Sequence, residues 1–273
     1  MKMTVNGRRG AKVGVLDRGL QYGDGLFETM SVRRRRIRLL EFHLDRLYRG
    51  LNLLRIQGPA RRALGAELKR LAKTQNEGVL KLIVTRGEGP RGYRPTGQEH
   101  STRIAMLAGA PLGDETASRP VRVRMCTTRL GAQPRLAGLK TLNRLESVLA
   151  RSEWRSARVW EGLMRDTDGR IVCGTMSNLF VRHGKRLFTP PLGQCGVAGV
   201  MRRWILKNAR TASLQVSERR LGWADLKAAE EVFLSNAVAG VKSVSAIEWR
   251  GRATLRFVHF EAAAKLQARL ERL

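Results

Sequence analysis

The spacing of apolar residues predicts alternating strands and helices over roughly the first 110 residues. Leu40, Leu44, Leu47, Leu51 and Leu54 recur at steps of four and three, which is typical of a helix with one buried face. The other predicted elements here are a helix over Arg61–Thr74 and strands over Ala11–Leu16, Leu26–Val32, Ile37–Leu40, Val79–Thr85 and Arg103–Ala108. This half of the chain is therefore expected to form a sheet backed by helices.

The clearest domain boundary is a polar stretch bracketed by Pro111 and Pro120, which has no apolar period. Beyond it, the predicted strands are Val121–Met125, Ala157–Met164, Arg170–Cys173, Asn178–Val181, Arg186–Phe188 and Glu231–Ser235, and the predicted helices are Leu142–Ser156, Val200–Ala212 and His259–Leu273. We therefore predict an α/β (α+β) protein with a domain over 1–110, an interdomain linker at 111–119 and a second domain over 120–273.

The net charge of +29 and the pI near 11.6 raise the question of nucleic-acid binding, because basic side chains release counterions from phosphates. The basic residues are spread through every segment, and the densest run, Arg33–Arg36, lies between two predicted strands as a hairpin turn. No recognition-helix pattern or zinc-finger spacing accompanies them. We predict no dedicated nucleic-acid partner, although the charge should attract anionic ligands, such as a substrate with two carboxylates.

The sequence gives no indication of a membrane protein or an exported protein. No run approaches the roughly 18 apolar residues that span a bilayer, and the first residues lack a signal-peptide pattern. Cys126, Cys173 and Cys195 have no CxxC spacing, which predicts free thiols in a reducing compartment. We expect a cytoplasmic protein without a metal site, since the histidines show no HExxH spacing.

Lys140 is the first candidate for chemistry. It lies among apolar residues in a chain that otherwise prefers arginine, just before the predicted helix at Leu142. An amine with an ordinary pKa of about 10.4 becomes nucleophilic near neutral pH only when burial or neighbouring cations disfavour its charge. Arginine cannot do this, because it stays protonated. From spacing alone, the commoner explanation is a lysine whose stem covers apolar surface while its amine reaches solvent.

Two glycine-containing turns are candidate anion sites. Gly196–Gly199 leads directly into the helix that begins near Val200, and Ser235–Gly240 follows a predicted strand. Backbone N–H groups at such a helix start can bind a phosphate with the help of the helix dipole. An ordinary strand-to-helix connection explains either turn equally well, and no Walker A or GxGxxG pattern competes with them.

Several segments together resemble the fold-type IV pyridoxal-phosphate enzymes, which include branched-chain and D-amino-acid aminotransferases. The resemblance covers nearly the whole chain and rests on Gln21–Thr29, His43–Leu47, Thr85–Tyr93, Leu136–Glu146, Gly174–Phe180 and Gly196–Arg202, in that order. Within the group, the segment Gln133–Glu146 and the loop Arg86–Tyr93 are most similar to the 4-amino-4-deoxychorismate lyases. The implied fold has an N-terminal α/β sandwich and a C-terminal β-rich pseudo-barrel with flanking helices.

The resemblance also implies the roles of individual residues. Lys140 would bind pyridoxal 5'-phosphate covalently and later act as the base, and Arg46 would bind the cofactor phosphate. The backbone amides of Val200 and Met201, and of Asn236 and Ala237, would complete the phosphate site. Arg91 and Tyr93 are candidate ligands of the substrate carboxylates, with a mobile surface loop as an equal alternative. A homodimer is implied as well.

Cys173 departs from the family pattern, which usually has a glutamate at this position to pair with the protonated pyridine nitrogen. A thiol is mostly neutral at pH 7 and makes the cofactor ring a weaker electron sink. Transamination depends on that sink more than a lyase reaction that creates an aromatic ring. We therefore predict a lyase that makes 4-aminobenzoate and pyruvate, with an aminotransferase as the alternative and a basic binding protein without cofactor as a remote one.

Overall fold

The computed structural model describes residues 1–109 and 119–273, so the predicted linker at 111–119 lies outside the described residues except for Arg119. The chain divides into two compact units, Met1–Leu112 with Leu139–Asn143, and Gly113–Gly138 with Arg144–Leu273. The predicted division placed every residue from 120 onward in the second domain and was wrong for Leu139–Asn143. This segment belongs to the first unit because Thr141 forms a β-bridge with Leu26.

The first unit is a five-stranded antiparallel sheet with three helices. The strands are β1 (Lys2–Val5), β2 (Gly25–Arg33), β3 (Arg36–Ile37), β4 (Gly78–Thr85) and β5 (Arg103–Gly109), in the order β1-β5-β4-β2-β3. The helices are α1 (Arg18–Tyr22), α2 (Leu40–Leu53) and α3 (Arg61–Ala72). The predicted sheet backed by helices is confirmed for this unit.

The core of the first unit forms where the apolar stripe of α2 meets the inner face of the sheet. Leu44, Leu47 and Leu51 of the helix are buried in one cluster with Leu80 and Leu82 of β4. The period of four and three therefore brings the leucines onto one side of the helix, as predicted. Each fully buried leucine contributes about 1.5–3 kcal/mol relative to an exposed one.

The four arginines at Arg33–Arg36 form the predicted hairpin between β2 and β3. Arg34 and Arg35 adopt φ angles of 51° and 62°, the left-handed region that tight hairpin turns require. Side chains with a Cβ adopt this region at a cost of about 1 kcal/mol or more. The predicted strand at Ala11–Leu16 was wrong, because no strand lies between β1 and β2.

The described residues of the second unit form nine strands, six of which close into a ring. The strands are β6 (Val121–Leu130), β7 (Val159–Asp166), β8 (Ile171–Gly174), β9 (Asn178–His183), β10 (Arg186–Thr189), β11 (Gln215–Glu218), β12 (Glu231–Asn236), β13 (Gly240–Glu248) and β14 (Leu255–Arg256). The ring runs β9-β12-β13-β6-β7-β8 and closes where Cys173 of β8 pairs with Asn178 of β9. The predicted fold class, with its β-rich pseudo-barrel, is confirmed.

The helices of the second unit are α4 (Leu145–Arg151), α5 (Val200–Asn208), α6 (Trp223–Lys227) and α7 (Glu261–Glu271), with a 3-10 helix at Ala209–Ala212. The predicted helix at Leu142–Ser156 begins three residues later and is shorter than expected. Its predicted start is extended instead, because the Leu142 N–H donates to the Gly25 carbonyl at 3.1 Å. Among the helices described here, none is both long and apolar enough to cross a bilayer.

Candidate active site

Lys140 is not in a helix but in a short extended segment beside β2. Its carbonyl accepts a hydrogen bond from the Phe27 N–H at 2.9 Å, which fixes its backbone against the strand. Its Nζ lies 4.2 Å from the centre of the Phe27 ring, within the range of a cation–π contact. The amine is therefore held against an aromatic face, and the side chain is not fully exposed.

Next to Phe27 on the same strand, Glu28 is the centre of a buried polar cluster in the first unit. The Glu28 carboxylate accepts from Arg46 Nε at 2.8 Å and Arg46 Nη2 at 2.5 Å, which is the two-pronged geometry that fixes a guanidinium. Its Oε2 is also 2.6 Å from His43 Nδ1. His43 and Arg46 stand three residues apart on α2, so one helical turn presents both side chains to Glu28.

The charges of this cluster set the protonation of Glu28 and His43. Burial alone would raise the pKa of Glu28, but the Arg46 charge and the hydrogen bonds from His43 and Arg46 lower it to about 2. Burial lowers the pKa of His43, with further lowering by the charges of Arg46 and Lys140, against an opposing effect of Glu28. A neutral His43 thus donates through Nδ1 to an ionised Glu28. Its Nε2 is buried and has no hydrogen-bond partner among the described residues.

This arrangement predicts a loss of stability in acid. Below pH 6.5, the ordinary pKa of histidine, the His43 imidazole becomes protonated in the unfolded chain but stays neutral in the folded one. The free energy of unfolding therefore falls as the pH falls. Glu28 adds a second loss between about pH 4.5 and pH 2. His43→Asn retains an N–H for Glu28 but does not titrate. Between about pH 7 and pH 5, its free energy of unfolding should therefore fall less than that of the wild type, by a difference of up to about 1.4 kcal/mol per pH unit.

Urea unfolding followed by circular dichroism at several pH values measures this difference. His259→Asn is the matched control, because His259 is an exposed histidine that pairs with Glu261 on the surface. Equal acid sensitivity of the wild type and His43→Asn would contradict the assignment.

The loop that carries Arg91 and Tyr93 is fastened to the first unit by its backbone. Buried Arg18 donates to the carbonyls of Gly92 and Tyr93, each at 2.8 Å. The Tyr22 hydroxyl accepts from the Gly92 N–H at 3.0 Å. The side chains of Arg91 and Tyr93 are exposed, with Tyr93 at 85%. Their role toward a substrate stays a prediction.

In the second unit, the turn before α5 leaves backbone amides available at a helix start. Gly199 caps α5 without a side-chain hydrogen bond, and the first amides of a helix have no acceptor within it. A Cβ at Gly199 would lie 2.0 Å from Asn178 Oδ1, so this position requires glycine. Asn178 Nδ2 donates to the Val197 carbonyl at 2.9 Å, which fixes the turn to β9. Val200 and Met201 begin the helix and are buried.

The second predicted anion turn follows β12 and is organised by Asn236. The Asn236 Oδ1 accepts from the Val238 and Ala239 N–H groups at 3.0 and 2.7 Å. Ser235, one residue earlier, pairs with Asn178 across β12 and β9. Asn178 therefore connects the Gly196–Gly199 turn with the Asn236 turn, which includes Ala237.

Cys173 is buried in the second unit, where β8 pairs with β9. A Cβ at Gly196 would lie 3.9 Å from Cys173 Sγ, which places the thiol beside the turn that leads to α5. Burial raises the pKa of the Cys173 thiol well above its ordinary value, and the charges of Cys195 and Glu161 act in the same direction. Arg144 opposes them without reversing the shift. Cys173 is thus a neutral thiol.

Glu161 of β7 is a buried carboxylate that organises the loop between β8 and β9. Its Oε1 accepts from the Gly162 N–H at 2.9 Å and the Thr175 hydroxyl at 2.5 Å. Its Oε2 accepts from the Met176 N–H at 3.0 Å and the Ser177 hydroxyl at 2.8 Å. With four donors on two oxygens, the carboxylate fixes the loop that connects Cys173 to Asn178.

Sequence reasoning did not identify Glu28, His43 or Glu161. A signal was present for Glu28, because it alternates with Leu26 and Met30 on the buried face of β2. His43 likewise falls on the leucine stripe of α2. A polar residue at a position where the pattern demands an apolar one indicates a buried network. Within the described part of the chain, no group of side chains suited to a metal ion was found.

Comparison with known proteins gives consistent matches over nearly the whole chain. The sequence model of the family described as "Amino-transferase class IV" matches residues 25–247. An aminodeoxychorismate lyase of Vibrio harveyi is 34% identical over 89% of this chain and 90% of its own length. A putative branched-chain-amino-acid aminotransferase of Methanocaldococcus jannaschii is 32% identical over 92% of this chain and 89% of its own.

Among solved structures, the crystal structure of 4-amino-4-deoxychorismate lyase from Pseudomonas aeruginosa superposes with a TM-score of 0.91. The two chains are 44% identical, and the match covers 99% of this chain and 98% of the other. A match of this extent covers both compact units.

Proposed function

Because the chain belongs to the class IV aminotransferase family, we propose that it is a lyase that converts 4-amino-4-deoxychorismate to 4-aminobenzoate and pyruvate. Enzymes of this family depend on pyridoxal phosphate. The observation that carries the proposal is the position of Lys140, whose amine lies against Phe27 beside the buried cluster of Glu28, His43 and Arg46. The proposed cellular location is the cytoplasm, in agreement with three free, buried cysteines.

The residues present fit the cofactor. Arg46 and Lys140 are cations, and His43 Nε2 is a buried polar atom without a protein partner among the described residues. The second unit offers the uncapped start of α5, where Gly199 has no space for a side chain. Such a helix start suits a phosphate group. We propose that Arg46 and the amides of Val200, Met201, Asn236 and Ala237 bind the phosphate, with Cys173 toward the pyridine nitrogen.

Bound pyridoxal phosphate supplies an aldehyde that condenses with an amine and a ring that withdraws electrons. Lys140 Nζ would hold the cofactor at that aldehyde. With its amine free, Lys140 would remove a proton from the substrate ring as the bond between the ring and the enolpyruvyl oxygen breaks. The ring would become aromatic, and the departing enol would take up a proton to leave as pyruvate.

An aminotransferase is the second candidate, favoured by the match to the Methanocaldococcus jannaschii protein. The lyase ranks first because the relatives with the higher identities, 34% and 44%, are both lyases by name. Two assays separate the candidates. The lyase should release pyruvate from 4-amino-4-deoxychorismate, whereas an aminotransferase should form glutamate from an amino acid and 2-oxoglutarate. Glutamate formation without pyruvate release would reverse the ranking.

We further propose a homodimer that uses the exposed face of α4. Leu145, Val148 and Leu149 are 76%, 56% and 61% exposed and lie three and four residues apart, which forms one apolar face. Light scattering should give twice the chain mass of 30.6 kDa for the wild type. Leu149→Glu should shift the protein to monomers, whereas Leu53→Glu, at an exposed leucine of α2, should leave the mass unchanged. A monomeric wild type would contradict the proposal.

A further inference from the structure

The second unit contains a cavity whose lining residues have no part in the proposed reaction. It has a volume of about 690 Å³ and lies where β9, β10 and β11 face the short helix α6. Sites for small molecules measure about 300–1,000 Å³, so this cavity is large enough to hold one. Its chemistry follows from the side chains on its floor and walls.

The floor of the cavity is a row of polar side chains that crosses three strands. Arg186 of β10 pairs with His183 of β9 on one side and with Gln215 of β11 on the other, and all three line the cavity. Paired residues on neighbouring strands point to the same face of a sheet, so these side chains lie next to one another. His183 Nε2 is buried and has no hydrogen-bond partner among the described residues. Such an atom often marks the place of a water molecule or an ion.

Positive charge is in excess around the cavity. The lining residues include three cations and one carboxylate, namely Lys185, Arg186, Arg219 and Asp225. Arg219 is already engaged, because its Nη2 donates to Asp225 Oδ1 at 2.7 Å and its guanidinium lies 4.2 Å from the centre of the Phe188 ring. The described residues give the side chains of Lys185 and Arg186 neither a hydrogen bond nor an ion pair. Two positive charges therefore remain to be balanced at this cavity.

The carboxylate at the neighbouring hairpin does not balance them. Glu230 Oε2 accepts from Arg182 Nη1 at 2.9 Å, and its Oε1 accepts from the Gly184 N–H at 2.7 Å. Glu230 is thus held by the β9–β10 turn and by a cation outside the cavity. An anion from solution is the remaining source of negative charge for Lys185 and Arg186.

The walls of the cavity leave space for an organic group. Ala224 and Ala228 both line it, and the Ala228 N–H donates to the Ala224 carbonyl at 3.0 Å, so one helical turn places both on the same side of α6. Their side chains are single methyl groups and do not fill the space above the sheet. Phe188, two residues after Arg186 on β10, lies on the same face of the strand and adds an aromatic surface.

From this arrangement we propose that the cavity binds a phosphorylated small molecule, whose phosphate contacts Lys185 and Arg186. A phosphate monoester carries a charge of about −1.5 to −2 near pH 7, which matches the two cations. The planar guanidinium of Arg186 suits two phosphate oxygens at once. The organic part of the ligand packs against Phe188 and the two alanines of α6. The site is independent of the proposed lyase reaction.

Calorimetric titration of the holoenzyme with phenyl phosphate tests the proposal. In the holoenzyme, the phosphate site proposed for the cofactor is already occupied, so binding reports on a second site. Phenyl phosphate should bind with one site per chain. Inorganic phosphate should bind about tenfold or more weakly, because it lacks the ring that packs on Phe188, and phenol should bind more weakly still, because it lacks the charge. A wild-type holoenzyme that does not bind phenyl phosphate would overturn the proposal.

Three variants separate a built site from general attraction to a basic protein. Arg186→Gln should weaken the binding of phenyl phosphate by about 10- to 100-fold, since it removes a charged hydrogen-bond donor. Ala228→Phe should abolish binding without changing the charge, because the ring fills the cavity. The matched control is Arg36→Gln, which removes one exposed arginine from β3 of the first unit and should change the affinity by less than about twofold.

The same titrations give the results that would contradict the site. Equal weakening by Arg186→Gln and Arg36→Gln would show that the net charge of +29 attracts the ligand without a specific site. Undiminished binding by Ala228→Phe would show that the ligand lies outside the cavity. Either result would overturn the proposal.

Discussion

Lys140→Ala should lower pyruvate release from 4-amino-4-deoxychorismate by about 10⁴-fold or more, the largest effect expected of any single substitution. The variant loses the amine that binds the cofactor and the base that removes the proton, and a positioned base alone contributes about 10²–10⁴-fold. Lys140→Arg should be equally inactive, because a guanidinium stays protonated. Borohydride should fix the cofactor to the wild-type chain and should fix none to either variant.

The matched control is Lys81→Ala. Lys81 Nζ lies 5.4 Å from the centre of the same Phe27 ring, but the residue is exposed on β4. Its loss should leave pyruvate release within about twofold of the wild type, as for most exposed side chains. An active Lys140→Ala variant that still binds the cofactor covalently would disprove the assignment and would point to another lysine.

The largest effect on stability is expected for Glu161→Leu, with a loss of about 3–5 kcal/mol in the free energy of unfolding. The leucine fills a similar space but accepts no hydrogen bonds, so the Thr175 and Ser177 hydroxyls and the Met176 N–H lose their partner. Each buried unsatisfied donor costs about 1–3 kcal/mol. Urea unfolding at neutral pH measures the loss.

Two variants provide the comparison for Glu161→Leu. Glu161→Gln retains one carbonyl oxygen and should lose about half as much. Glu153→Leu removes a carboxylate that accepts from the Thr127 and Thr128 N–H groups, both at 2.8 Å, but is closer to solvent. It should lose only about 1–2 kcal/mol, because water can replace the lost acceptor. Equal losses at the two positions would show that burial does not determine the effect.

The sequence alone predicted those elements whose conformation follows from one physical rule. The helix over Leu40–Leu53 has a regular apolar face, and the hairpin at Arg33–Arg36 lies between two apolar strands, so both were predicted. β13 was missed because its pattern includes Lys242, a lysine that is 2% exposed. A charged residue in such a pattern indicates a position that faces solvent, unless its tertiary contacts are known.

The same limit applied to the candidate site. Lys140 and Cys173 were found through motif resemblance, whereas Glu161 gave no local signal that separates it from a surface residue. The alternation that marks Glu28 as buried does not identify its partners. Their function depends on partners that are distant in sequence, such as Arg46 for Glu28, eighteen residues away. Likewise, the extended segment around Lys140 is set by its bridge to Leu26, and no short-range pattern encodes this pairing.

The ring of six strands closes through a single residue pair, and this pairing affects how reagents reach the Cys173 thiol. β8 joins β9 only through Cys173 and Asn178, whereas β9 and β12 are joined by five pairs. Local opening of the ring should begin between β8 and β9, since a region with few pairings opens at a lower free energy than the rest. An alkylating reagent that reacts faster than the two strands reclose would then modify Cys173 at the rate of this opening, and adding more reagent would not raise the rate further.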